Sequence, residues 1–298
     1  MRAAFFRCIR KFFRNQGFLE VDTPLRQPVY IPESTIIPVG SDGLYLQTSP
    51  ELCMKRLLAA GCTNIFQICH CFRKEERGRL HLEEFQMLEW YRSGADYFQL
   101  MADCEHFLRY VLVELQSAQS EQNLNPKQKL FKGMNLQGKW QKLKVEAAFE
   151  QFSPVSLNRA LTEDCFDEIL VEYIEPFLGM DSPLFLYDYP VELASLARKK
   201  EGEETIAERF ELYIKGVELA NGFSELTDAV EQRMRFQAEI DEIQENYGYC
   251  LSMPEKFLSD IDRLGSVAGI ALGLDRLFML AMDYPSLSTS VTFAEEDF

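Results

Sequence analysis

Apolar and polar positions change period along this chain of 298 residues, and the changes mark its elements. Over residues 3–16, Phe5, Ile9, Phe12 and Phe13 fall on one helical face, and Gly17 ends the run. A short strand is predicted over 18–22, stopped by Thr23-Pro24, and residues 25–41 read as a proline-containing loop region. Residues 44–47 predict a strand. Ser49 can then cap a helix with Pro50 at its first position, running over 51–60 and stopped by Gly61. Residues 66–72 alternate apolar with polar or small, and residues 85–91 are rich in aromatics, so both read as strands of one hairpin. A 3.6-residue period over 99–115 predicts a helix.

Residues 117–144 are polar with little pattern and read as a loop or small insertion. Helical segments are predicted over 144–152, 158–161 and 165–174, and a buried strand over 183–190, bracketed by prolines. Residues 199–204 read as a charged turn. A second hairpin is predicted over 207–214 and 217–219, turning at Lys215-Gly216, then a charged helix over 228–247. A glycine-rich stretch at 265–274 leads into a short apolar helix over 275–282. Hairpins outnumber strand–helix–strand units and no repeat recurs. The expected fold class is therefore α+β, an antiparallel sheet flanked by helices.

Hydrophobic content of 47% and charged content of 26% suit a globular enzyme, and no apolar run reaches membrane-spanning length. The net charge of −16 argues against tRNA or DNA as main partner, because nucleic-acid binding draws on a basic footprint. It fits a small cationic substrate or a basic protein surface better. The eight cysteines lack the spacing of a disulfide framework, which points to a reducing cytoplasm. Cys69-His70-Cys71 lacks a second pair to complete a zinc set, so small buried residues are the plainer reading. Five basic residues and no acid in the first 16 would also suit a transit peptide. The run straight into a strand, with no linker, favours a helix of the fold.

The densest chemistry lies over residues 66–92. Arg73, Lys74, Arg77, Arg79 and His81 fill the hairpin loop, interleaved with Glu75, Glu76, Glu83 and Glu84. A basic tip with acids at its base suits a polyphosphate at one end and a cation at the other. A solvated charged hairpin is the alternative.

Three segments carry a resemblance. Gly17-Phe-Leu-Glu-Val-Asp-Thr-Pro24 resembles motif 1 of the class II aminoacyl-tRNA synthetases. Phe72-Arg-Lys-Glu75 through Glu89-Trp-Tyr91 resembles motif 2, and Gly269-Ile-Ala-Leu-Gly-Leu-Asp-Arg276 resembles motif 3. The likeness covers nearly the whole chain and is most specific for the lysine branch, through Thr48-Ser-Pro-Glu51, Met87-Leu-Glu-Trp-Tyr91 and Glu218-Leu-Ala-Asn-Gly-Phe-Ser-Glu225. The sequence begins at the motif 1 helix, so the anticodon-reading barrel of lysyl-tRNA synthetases is expected to be missing. In that it is similar to the bacterial elongation factor P–lysine ligase family, whose members place a lysine-type amino acid on a lysine of elongation factor P.

The resemblance implies one class II catalytic domain over 1–298, with a polar and helical insertion at about 117–180, and a cytoplasmic homodimer formed through motif 1. It implies ATP and Mg²⁺ as cofactors, lysine or β-lysine as substrate and elongation factor P as partner. Arg73 would fork onto the carboxylate and α-phosphate, and Arg276 would hold the γ-phosphate and stack on adenine, with Phe85 on the other adenine face. Glu75 and His81, the latter with Arg77 or Arg79, would complete the ATP site. Glu211 and Glu218 would hold magnesium, Glu218 also bordering the substrate. Glu51, Glu89, Tyr91, Asn221 and Glu225 would form the amino-acid pocket. There three acids would be costly without a dication to fill the space. Ala271, where lysyl-tRNA synthetases typically have glycine, would favour β-lysine. Lys74 and Leu82-Glu83 also depart from the usual pattern, standing where Asn and Asn-Pro are common. The competing expectations are an enzyme charging tRNA or a small acceptor, and a catalytically silent synthetase-like subunit.

Overall fold

A computed structural model describes residues 1–121, 130–248, 250–294 and 297. The first helix, α1 (Arg2–Asn15), buries Ala4, Phe5, Cys8, Ile9, Phe12 and Phe13, the face its spacing predicts. β1 (Leu19–Glu20) follows. The expected loop at 25–41 instead holds β2 (Arg26–Gln27) and β3 (Gly40–Ser41), which flank β4 (Leu44–Leu46) in a small three-stranded sheet. Helix α2 (Glu51–Ala59) begins one residue after Pro50, and Ser49 Oγ accepts the Glu51 N–H at 3.1 Å. The first hairpin is β5 (Asn64–Phe72) and β6 (Glu84–Ser93), each longer than expected.

Helix α3 (Tyr97–Glu121) runs past its expected end, and the segment after it is not simply a loop. Phe131, Leu136 and Trp140 enter the main core, and β7 (Gln141–Lys144) pairs in parallel with a later strand at the sheet edge. Single apolar anchors spaced among polar residues carry no period, so this pairing left no local trace. Residues 122–129 of that segment lie outside the described residues. α4 (Val145–Phe152), α5 (Leu157–Thr162) and α6 (Phe166–Ile169) follow, and the last widens into a π-helical turn over Leu170–Ile174.

β8 (Leu184–Pro190) is the buried strand expected between prolines. The expected charged turn at 199–204 contains β9 (Lys199–Lys200) and the start of β10 (Glu203–Ile214). β11 (Val217–Ser224) continues five residues past its expected end, since polar Asn221 and Ser224 still pair in the ladder. α7 (Ala229–Tyr247), α8 (Glu255–Ile261), β12 (Val267–Gly273) and α9 (Leu274–Met282) complete the order.

Among the described residues the main sheet has nine strands, in the order β1-β5-β6-β12-β11-β10-β8-β7 with β9 on β10. All its pairings are antiparallel except β1 with β5 and β7 with β8 at the two edges, so the α+β expectation holds. One sheet face is apolar across the strands. Phe66, Trp90, Ile270, Gly222 and Phe210 stand side by side and pack in the core with α1, α3 and α9. Gly222 is required there, because a Cβ would come within 2.8 Å of the Phe210 ring. Side chains alternate along a strand, so the opposite face carries the next residues over.

Candidate active site

On that second face, Gln67, Glu89, Ala271, Asn221 and Glu211 form one row across β5, β6, β12, β11 and β10. Strands lie about 4.8 Å apart, so Glu89 and Glu211, three strands apart in the row, stand roughly 14 Å from each other. A cleft of about 510 Å³ opens above Ala271, Asn221 and Glu211 of this row and is also lined by Arg73, His81, Phe85, Glu218 and Arg276, whereas Glu51, Glu89, Tyr91 and Glu225 do not line it. Cys69, Cys71 and Met87 pack beneath it beside Phe85 and Ala271, as small buried side chains.

One end is built for anions. Arg73, just past β5, lays its guanidinium 5.3 Å from the Phe85 ring centroid, and its buried Nε has no hydrogen-bond partner. An unpaired buried donor is costly unless a ligand meets it, so this nitrogen suits an incoming carboxylate or phosphate. Arg276, in the first turn of α9, donates to the carbonyls of Leu80 (3.1 Å) and Glu218 (2.9 Å) and to His81 Nε2 (2.8 Å). A guanidinium only donates, so His81 accepts through Nε2 and carries its proton on Nδ1. Partial burial and the Arg276 charge lower the His81 pKa, which keeps the ring neutral.

Glu211 is buried and accepts from Tyr189 (2.5 Å), Tyr213 (2.7 Å) and Arg209 (2.6 Å). Burial raises its pKa, against the pull of Arg209. Glu218 faces Arg276 Nη1 at 3.3 Å and is more open to solvent. No group of three metal-ligating side chains occurs among the described residues. Two carboxylates beside this arginine-lined end still fit magnesium, which takes one or two carboxylates and completes its shell with other oxygens and water.

The other end is a buried cluster of acids. Glu89, 1% exposed, accepts from Tyr91 Oη at 2.6 Å and Ser49 Oγ at 2.7 Å. Burial, then the neighbouring Glu51, push its pKa up to about 8. Glu225 is 2% exposed, its Oε1 has no hydrogen-bond partner, and burial raises its pKa. Gly269 lies against both Tyr91 and Glu225, where any Cβ would collide with the ring and the carboxylate, which accounts for the first glycine of its motif.

The expectation that three acids need a dicationic ligand requires correction. Lys55, 1% exposed, bridges Glu51 at 2.5 Å and Glu225, and its ammonium lies 5.2 Å from the Phe223 ring centroid. The protein thus supplies one counter-cation itself. The signal was present, since Glu51 and Lys55 are four apart on a helix. Ser49 and Arg209 were also missed as site residues. Arg209 joins Asn221 (3.1 Å) to Glu211, and its place two residues before Glu211 on one strand face could have revealed it.

Three loop residues stand apart. Glu75 is exposed and paired with Lys74 (3.2 Å), Arg77 pairs with Glu83 (3.1 Å), and among the described residues the Arg79 side chain donates only to the Pro285 carbonyl, at 3.4 Å. None of them lines the cleft. Glu83 also accepts the Glu75 N–H at 2.7 Å, so the unusual Leu82-Glu83 pair ties the loop to itself.

Comparison with known proteins fits this geometry. The family model for tRNA synthetases class II (D, K and N) matches residues 1–297. A Proteus mirabilis protein named elongation factor P–(R)-β-lysine ligase is 38% identical over 304 residues, spanning 96% of this chain and 91% of its own length. Its namesake from Pectobacterium carotovorum is 39% identical over 309 residues, spanning 99% and 94%. The Edwardsiella ictaluri protein of that name is 38% identical over 309 residues, spanning 98% and 93%.

Proposed function

The chain belongs to the elongation factor P–(R)-β-lysine ligase family, within the class II tRNA synthetases, and from that premise we propose how its cleft works. It is an ATP-dependent amino acid ligase of the class II kind. Its substrates in this reading are (R)-β-lysine and ATP, and its acceptor is a lysine side chain of elongation factor P. The carrying observation is the transverse row. Glu89 and Glu211 stand three strands apart in it with Ala271 and Asn221 between, which in this reading joins a carboxylate cluster for ammonium groups to an arginine-lined phosphate end.

The amino acid lies along the row, with its far ammonium at Glu89, Tyr91 and the unpaired Oε1 of Glu225. Its carboxylate points toward Arg73 and Asn221. Attack of that carboxylate on the α-phosphate releases pyrophosphate, and Arg73 offsets the charge gathering on the oxygens. Arg276 and neutral His81 border the triphosphate, and Phe85 offers a face for adenine. Glu211 and Glu218 would hold Mg²⁺, which when bound neutralises the outer phosphates. Ala271 adds a methyl beneath the amino-acid backbone, which crowds the α-amino isomer.

The whole chain is read as one catalytic domain, and as a homodimer through the motif 1 region, where Leu19 is 57% exposed. No helix among the described residues is long and apolar enough to cross a membrane. ATP–pyrophosphate exchange with α-lysine and β-lysine in parallel, then intact-mass measurement of elongation factor P, tests the reading. Exchange with neither isomer, or no mass gain on the factor, refutes it.

A further inference from the structure

The reaction just described needs a base. An acceptor lysine is an ammonium at neutral pH, with an ordinary pKa near 10.4, and it must shed a proton before its nitrogen can attack. Glu51, Glu89 and Glu225 are buried in the acid cluster, and Glu211 and Glu218 lie at the phosphate end. Two other acids, Glu33 and Asp167, line both the cleft and a second cavity of about 420 Å³ that opens beside it; Asp167 is exposed on α6, whereas Glu33 is half-buried.

Glu33 sits in the segment between β2 and β3, which is pinned on both sides. The Ser34 N–H donates to Glu239 on α7 at 2.8 Å, and the Lys74 N–H donates to the Ile37 carbonyl at 2.8 Å. The Glu33 carboxyl makes no hydrogen bond to another described residue. The second cavity shares Thr35, Asp167, Arg209 and Asn221 with the cleft, so the two communicate along one wall. Six acids and a single arginine line it, a surface that favours a cation.

We propose that Glu33 is the general base of the transfer step, taking a proton from an acceptor ammonium that arrives through the acidic cavity. This rests on the ligase reading above. The ammonium proton passes to the Glu33 carboxylate, and the freed nitrogen pair forms a bond to the adenylate carbonyl carbon. The carbon–oxygen bond to the phosphate then breaks, its electron pair leaving on AMP, and the nitrogen's second surplus proton goes to the departing phosphate.

The surroundings support this role. Glu51 on α2, Glu239 on α7 and Asp167 on α6 face Glu33 as acids, with Arg73 past β5 and Arg209 on β10 opposing them. Burial, then Glu51, push the carboxyl up to about 7, where a base is matched to neutral conditions.

The test compares wild type with Glu33→Gln, an isosteric change that removes charge without opening a void. Pyrophosphate exchange with β-lysine, transfer to elongation factor P and discharge by hydroxylamine, an amine already unprotonated at neutral pH, are measured on each. Expected is a fall of about 100-fold or more in the ratio of transfer to exchange, with the ratio of hydroxylamine discharge to exchange kept. Wild-type transfer should level off above about pH 7, while the variant's continues to rise as free amine accumulates. An unchanged transfer ratio, equal loss of transfer and hydroxylamine discharge, or matching pH profiles overturns the assignment. Wild type that exchanges with neither lysine isomer refutes the ligase reading and this one with it.

Discussion

Lys55→Met probes the charge balance of the acid cluster. The ammonium is enclosed, and its two partners, Glu51 and Glu225, are themselves buried. Methionine keeps the length and removes the charge, leaving two carboxylates facing each other without a counter-ion. Deleting one partner of a buried ion pair costs about 3–5 kcal/mol. At about 2.1 cal/mol/K of unfolding entropy per residue, the 298 residues give about 0.6 kcal/mol/K, so Tm should fall by about 5–8 °C.

The loss should depend on pH. Burial lowers the Lys55 pKa, but Glu225 and Glu51 outweigh it, so the net shift is upward and the lysine stays charged through the neutral range. In the variant the folded state must hold an extra proton on the carboxylates. Their folded pKa then lies above the unfolded value of about 4.3, and stability drains away as pH rises past that value, at up to about 1.4 kcal/mol per unit for each proton held. The deficit against wild type is therefore larger at about pH 8 than at about pH 5.5. Thermal and denaturant unfolding at both values measure it, and Lys55→Met/Glu225→Gln should recover about 1–3 kcal/mol as the coupled term. A deficit below about 1 kcal/mol, or one independent of pH, would falsify the claim that Lys55 carries the cluster's charge balance.

Arg276→Ala should cut pyrophosphate exchange by about 100-fold or more with the circular dichroism spectrum kept; wild-type exchange would remove Arg276 from the triphosphate site. Glu225→Gln should raise the KM for the amino acid by at least about tenfold while the KM for ATP moves little, and equal shifts in both would point to general misfolding. Ala271→Gly should improve α-lysine relative to β-lysine by about 10- to 200-fold in exchange, since one methyl is worth about 1–3 kcal/mol of discrimination. A wild type that prefers α-lysine, or an unchanged ratio, would contradict the assigned role of Ala271.

Much of the site was legible because the motif residues fall in short, locally patterned runs. Alternation over 66–72 assigned Cys69 and Cys71 to one face, and they share a buried cluster beneath the cleft. The need for glycine at 269 was not legible, because Tyr91 and Glu225, which crowd its Cβ position, come from distant segments. β7 and the far half of β11 were not legible, because their stabilising partners lie across the sheet and leave polar residues in the strand. Glu33 was hidden for a similar reason. A glutamate in a proline-containing loop has no local mark, and its surroundings come from α2, α7 and β10.

The sequence by itself determined the amphipathic first helix, the two hairpins, the α+β class and the family, since each depends on neighbouring residues or on a motif read in order. Only the tertiary structure decided that Glu89, Ala271, Asn221 and Glu211 form one row, and that Lys55 already neutralises part of the acid cluster. Periodicity tells each residue which face to bury. Which strand lies beside which, and which buried charge meets which, depends on pairing between segments up to about two hundred residues apart, and that is settled only when the whole sheet closes.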